Sequence, residues 1–365
     1  MNRGVKRLLL ALLGAIAIAG ASILWVETSC IARSFNPAPP RLAGLENEAS
    51  YRRAEGDSYL TFPEWNIVYA YADLAGVTRQ RSESKFDYLQ AITGFWSSLC
   101  TSTRVASGIG PVTWEQKATN YIIALSFSAE MAIKGVWERT IGAITVLLSG
   151  DHATAEDRYA QHLLEDYAAF LKQTPWYKYR FADEVVRFWL STPFIEPGVG
   201  PGGYIRKVER RIALTLEWSV KSVYASAMAA LAGLSPADLR IKSVVAGLTP
   251  ADIAADPRIK KLREVAPGQT LIETPRYDAF TDIMRGLSKR GRAFLEIAGA
   301  HRILTTVIAR DGAALDTKGR LLFSNPVQAQ PGFRRLGYDV DVRDLTAHIA
   351  EVERQGAVFE HAYDY

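Results

Sequence analysis

Three hydrophobic patterns follow one another along the chain. From Leu8 to Val26 the residues are apolar with no charge among them, LLLALLGAIAIAGASILWV. From about residue 59 to 234 apolar positions recur at helical spacing, with charges set inside the apolar runs. From about Gly268 onward short alternating runs take over.

The first run predicts a membrane anchor. Nineteen residues as a helix span about 28 Å, close to a hydrocarbon core of roughly 30 Å. A cleaved signal peptide is the rival, with Ala19-Gly20-Ala21 as a small-x-small site. The run stays apolar through Ile23-Leu24-Trp25-Val26, and Trp25 suits an interface, which favours an uncleaved signal-anchor. Arg3, Lys6 and Arg7 crowd before the run, whereas Arg33 and Arg41 follow sparsely. The expected location is a bacterial-type inner (cell) membrane, single-pass, with the N-terminus cytoplasmic and the bulk extracytoplasmic.

The middle region reads as helical. Asn36-Pro37-Ala38-Pro39-Pro40 is a stiff linker, and a helix is expected to open at Pro63 in Phe62-Pro63-Glu64-Trp65. Phe86-x-Tyr88-x3-Ile92-x2-Phe95-Trp96-x-Ser98 is echoed by Tyr179-x-Phe181-x3-Val185-x2-Phe188-Trp189-x-Ser191. Each segment leads to a long apolar helix carrying one acid and one base: Glu130 with Lys134, and Glu217 with Lys221. The matching offsets suggest an internal duplication, about 59–150 and 174–234. Between 235 and 267, Ser235-Pro236, Thr249-Pro250 and Asp256-Pro257 each read as a helix start.

The C-terminal pattern predicts strands at 270–273, 293–297, 303–309, 321–324, 337–342 and 357–363. Helices are expected at 278–289 and 344–354. Gly299-Ala300-His301-Arg302 reads as an exposed hairpin turn. The fold class is therefore a mainly α N-terminal region, consisting of membrane anchor and helical domain, followed by a small α+β ferredoxin-like domain. The expected divisions are 1–35 tail and anchor, 36–58 linker, 59–234 helical domain, 235–267 helical linker and 268–365 α+β domain.

Composition sharpens this picture. The chain has 365 residues, 48% hydrophobic and 22% charged, in the range of globular proteins rather than disordered ones. A net charge of +4 without a basic run gives no reason to expect nucleic acid. All eight tryptophans lie between Trp25 and Trp218, so the two regions are differently built. Cys30 and Cys100 can pair in an oxidising compartment or stand unpaired with Cys100 buried. The five histidines are scattered, with no HExxH, GxSxG or Cys/His cluster. No cofactor and no metal site is implied.

The candidate binding residues are Glu64, Glu130, Lys134, Glu217 and Lys221. The pairs Glu130/Lys134 and Glu217/Lys221 stand at i and i+4 in the favourable order. If the two helices face each other, the four charges form one polar cluster. Structural ion pairing is the plainer reading of all four, and helix N-terminal chemistry that of Glu64. The pattern supports first a non-catalytic, membrane-anchored protein for envelope scaffolding or binding of a partner or lipid. The alternative is a membrane-bound enzyme, or a lipid or apolar-ligand transfer protein, working at the Glu/Lys pairs. The partners implied are membrane lipid, a protein, or a second copy.

Overall fold

The computed structural model describes residues 3–35, 53, 57–150, 152–231 and 239–364. Most of the expected 36–58 linker and the helix start at Ser235 lie outside the described residues.

A helical region comes first. It contains α1 (Arg3–Ser29), α2 (Asp57–Gln80), α3 (Tyr88–Ile109), α4 (Trp114–Trp137), a π turn (Glu138–Gly142), α5 (Ala143–Ser149), α6 (Ala155–Leu171), α7 (Phe181–Ser191) and α8 (Pro201–Leu231). Side chains fix several starts: Thr113 with Gln116 boxes α4, Thr154 with Asp157 boxes α6, and Asp87 caps α3. Helix α2 opens six residues before Pro63, which is therefore inside it.

Among the described residues no helix is long and apolar enough to cross a membrane. This overturns the expected transmembrane signal-anchor and, with it, the single-pass inner-membrane location. The end of the apolar run is instead used for protein contacts. Val26 and Cys30 are fully buried, and Cys30 forms a disulfide with Cys100 of α3. Next to them Glu27 binds Lys117 Nζ at 2.8 Å and Tyr121 Oη at 2.7 Å, both from α4.

One arrangement occurs twice in the helical region. A 3-10 turn (Glu83–Lys85) ends in extended Phe86 before α3 and α4, and a second (Trp176–Lys178) ends in extended Tyr179 before α7 and α8. Trp96 Nε1 donates to Ser128 Oγ at 3.0 Å, and Trp189 Nε1 donates to Thr215 Oγ1 at 3.0 Å. Ser128 and Thr215 each stand two residues before the acid of their helix.

Two four-stranded antiparallel sheets follow, built from β1 (Arg240–Ala246), α9 (Pro250–Ala255), β2 (Lys260–Ala266), β3 (Gln269–Pro275), α10 (Asp278–Lys289), β4 (Ala293–Ile297), β5 (Arg302–Arg310), β6 (Arg320–Pro326), β7 (Phe333–Asp341), α11 (Leu345–Arg354) and β8 (Val358–Ala362). The orders are β2-β3-β1-β4 and β6-β7-β5-β8. Strands β1 and β2 correct the expectation of a purely helical 235–267. Thr249-Pro250 does start a helix, boxed by Asp252, but Asp256-Pro257 does not. Its residues turn into β2 because β3 supplies a pairing edge.

The two sheets share local detail. Arg240 Nε reaches Glu273 at 2.7 Å, and Arg302 Nε reaches Asp339 at 2.8 Å, from matching places in β1 and β5. Helices α10 and α11 both end at a left-handed glycine, Gly291 (φ 74°) and Gly356 (φ 78°). The turn at 298–301 joins the sheets instead of pairing β4 with β5. His301 there is buried, with Nε2 3.2 Å from Glu296, so it is not an exposed tip.

Helix α2 binds the two regions into one body. Ser58 Oγ donates to Tyr363 O at 2.7 Å and accepts from Leu304 N at 2.9 Å. Tyr59 Oη lies 2.6 Å from Asp339. Trp65 packs on the buried His361 ring with centroids 3.6 Å apart.

Candidate functional site

The polar residues set inside the apolar helices converge. Glu130 meets Lys221, Lys134 meets Glu217, Glu138 meets Arg210, and Thr145 meets Arg206. Positions rise along α4–α5 as they fall along α8, so the two run antiparallel with their charged faces together. Gly202 lets the start of α8 approach the Leu148 carbonyl at the end of α5, where a Cβ would collide.

The contacts form a continuous ladder. Lys221 Nζ stands 2.8 Å from Glu130 and 2.9 Å from Glu217. Lys134 Nζ stands 2.9 Å from both Glu217 and Glu83. Arg210 spans Glu83 at 3.0 Å, Glu209 at 2.9 Å and Glu138. Arg206 joins Glu209 at 2.7 Å to Asp157 at 2.8 Å. Tyr71 of α2 donates to Glu130 and accepts from Lys221. Beside the ladder, fully buried Lys207 lies 2.7 Å from Glu156 and 2.8 Å from Glu196.

Buried charges persist only where counter-charges and hydrogen bonds replace water. Burial pushes the Glu217 carboxyl up, but Lys134 and Lys221 outweigh it and hold it at about 2. Burial pulls Lys134 down, and Glu217 and Glu83 more than restore it. From Glu130 to Glu209 five carboxylates (Glu130, Glu217, Glu83, Glu138, Glu209) face four cations (Lys221, Lys134, Arg210, Arg206). The surplus falls on Glu138. Burial and the charge of Glu83 raise it to about 7 against Arg210, and among the described residues its Oε2 has no hydrogen-bond partner.

Four of the five residues singled out from sequence are thus brought together: Glu130, Lys134, Glu217 and Lys221. Glu64 is not among them and lies exposed on α2, within electrostatic reach of Arg276. Sequence reasoning missed Glu83, Glu138, Arg206, Glu209 and Arg210. A signal existed in α8, where Arg206, Arg210, Glu217 and Lys221 stand at i, i+4, i+11 and i+15, one helical face. The space between α4 and α8 is occupied by these ion pairs. Among the described residues no group of His, Cys, Asp or Glu has the makings of a metal site.

Turning the charges inward leaves apolar side chains outside. Ile205, Val208, Ile212, Leu216, Val220 and Val223 form an exposed stripe along α8. Every exposed position of α8 from Tyr204 to Ala230 is uncharged. On the antiparallel partner Ile122, Ile133, Val136, Ile141, Ile144, Leu147 and Leu148 are exposed, with Arg139 the one exposed charge between Gln116 and Leu148. Together they make an apolar plate. A shallow groove of about 470 Å³ indents it, lined by Ser219, Val220, Val223, Tyr224 and Ala227. Monomeric proteins rarely expose contiguous apolar patches beyond a few hundred Å².

Comparison of the chain with protein-family models, with curated proteins and with solved structures gave no match, so its functional reading rests on its own geometry.

Proposed function

We propose that this chain is a non-catalytic docking scaffold whose working surface is the apolar plate of α4, α5 and α8. The observation that carries this reading is the inverted polarity of the helix pair, with charges paired inside and uncharged stripes outside. The ladder serves the plate by fixing two long helices side by side in one register. A catalytic reading of Glu130, Lys134, Glu217 and Lys221 has less support, because each is saturated by its neighbours and the space between the helices is filled. The repeated helical arrangement supports an internal duplication of that region. The strand order β4-β1-β3-β2, repeated as β8-β5-β7-β6, supports reading each sheet with its helices as one ferredoxin-like unit.

The reading is tested with a fluorescent dye that reports exposed apolar surface. The folded protein, diluted until it sediments as a single chain, should bind it, and the double variant Val220→Glu/Val223→Glu should lose most of that signal while its circular dichroism stays unchanged. Dye binding that survives in the variant, or is absent from folded wild type that sediments as a single chain, removes the plate as the working surface.

A further inference from the structure

The plate is not the only uncovered apolar element. Along α1, Leu10, Leu13, Ile16, Ile18 and Leu24 are all more than half exposed. They point around the helix rather than to one side, as residues 10, 13, 16, 18 and 24 cannot share a 3.6-residue face. A helix apolar all round normally lies buried. Helix α1 is attached to its own body near its end, by the Cys30–Cys100 disulfide, buried Val26 and the Glu27 contacts to Lys117 and Tyr121. It is an arm fixed at its base.

The arm and the plate match in size and chemistry. From Leu10 to Trp25 the arm is about 24 Å long, and the α8 stripe from Ile205 to Val223 is about 28 Å, at ~1.5 Å per residue. The exposed positions of α8 along the stripe carry no charge. At roughly 60 Å² of exposed apolar side chain each, the six residues of the α8 stripe and the five of the arm present about 660 Å² on each copy, within one partner's share of a standard interface. Arm and plate belong to the same chain, so mutual exchange between two copies closes a two-fold assembly in which each α8 stripe is covered by the other copy's arm.

We propose that the plate is occupied by a second copy of this chain, each copy laying α1 along the α8 groove of the other. This rests on the docking reading above and names the occupant. The arm would seat its apolar ridge in the groove at Val220 and Val223, a helix-in-groove mode of recognition.

The test uses the full chain. Sedimentation of the wild type should give a dimer, and Val220→Glu/Val223→Glu and Leu13→Glu/Ile16→Glu should each give a folded monomer. An Ile16→Cys chain mixed with a Leu216→Cys chain should cross-link to a covalent dimer under mild oxidation, whereas neither should do so alone. A wild-type dimer with no cross-link in the mixture overturns the arm exchange. A monomeric wild type that still binds the apolar dye overturns the second copy while leaving the docking reading standing. A monomer that co-sediments with phosphatidylcholine vesicles assigns the plate to lipid and also overturns the proposal.

Discussion

The facing sides of α4 and α8 and the core of the sheet region are built with opposite polarity. In the sheets the core is apolar: Ile241, Val245, Phe280, Phe294, Val307 and Phe359 are buried, and Leu321 and Val358 are the large apolar residues exposed among the described ones. At the α4–α8 seam Lys207, Arg210 and Glu138 are buried together with Glu83 from the turn before α3, while Ile133, Leu147, Val220 and Val223 are more than half exposed. A sheet that buries apolar surface stabilises itself through the hydrophobic effect, roughly in proportion to the area removed from water. A helix pair that buries charge depends on complete pairing, and it leaves its apolar surface for something else to cover. The first kind of region covers its apolar surface when it folds; the second does not.

The largest expected effects compare the two cores directly. Phe294→Ala in β4 should cost about 3–5 kcal/mol by opening a cavity. Arg210→Met should cost a similar ~3–5 kcal/mol although it adds apolar character, because Glu138 then loses its paired cation while Glu83 and Glu209 keep only Lys134 and Arg206. Urea midpoints measure both. A neutral Arg210→Met would mean that the α4–α8 seam does not depend on its charge pairing, and the contrast would collapse.

A middle-sized effect sharpens it through pH. The folded-state pKa of Glu138, about 7, lies above the ordinary 4.5, so the native state holds the proton more tightly. The stability linked to Glu138 is full below pH 4.5 and is lost as pH rises through 7, at most about 3 kcal/mol. Glu217, held at about 2, has the opposite sign: its contribution is present above pH 4.5 and is lost as pH falls. Glu138→Gln should therefore gain on the wild type as pH climbs from 4.5 to 7, read as a growing difference in melting temperature. A difference that stays flat over that window would deny Glu138 the surplus charge.

The smallest effect concerns the repeated arrangement. Trp96→Phe and Trp189→Phe each remove one hydrogen bond of the same length to a matching hydroxyl, and each should cost about 1 kcal/mol. Clearly unequal costs would show that the two sites are alike in geometry but not in weight.

The layout was partly legible in the sequence. The α10 helix was expected at Asp278–Lys289 and occurs there, because a tight apolar face and the following Gly291 bound it on both sides. The repeat of Trp96 and Trp189, and of the two acid–base pairs, was visible as matching offsets. Strands β1 and β2 were missed because proline-led helix starts near them outweighed short β-runs whose partners are supplied by β3 and β4. The apolar run of α1 read as a membrane anchor, because hydropathy does not register a disulfide and an ion pair that tie its last turn to α3 and α4.

Sequence by itself determined the periodicity of the helices, the local caps, and the fact that α4 and α8 each carry a charged face and an apolar face. It did not determine which face is buried. That sign depends on counter-charges far along the chain: Lys207 meets Glu156 across 51 residues, and Arg210 meets Glu83 across 127. Only when tertiary structure brings those partners within hydrogen-bond distance does burying the charges become cheaper than leaving them in water, and only then is the apolar face turned outward.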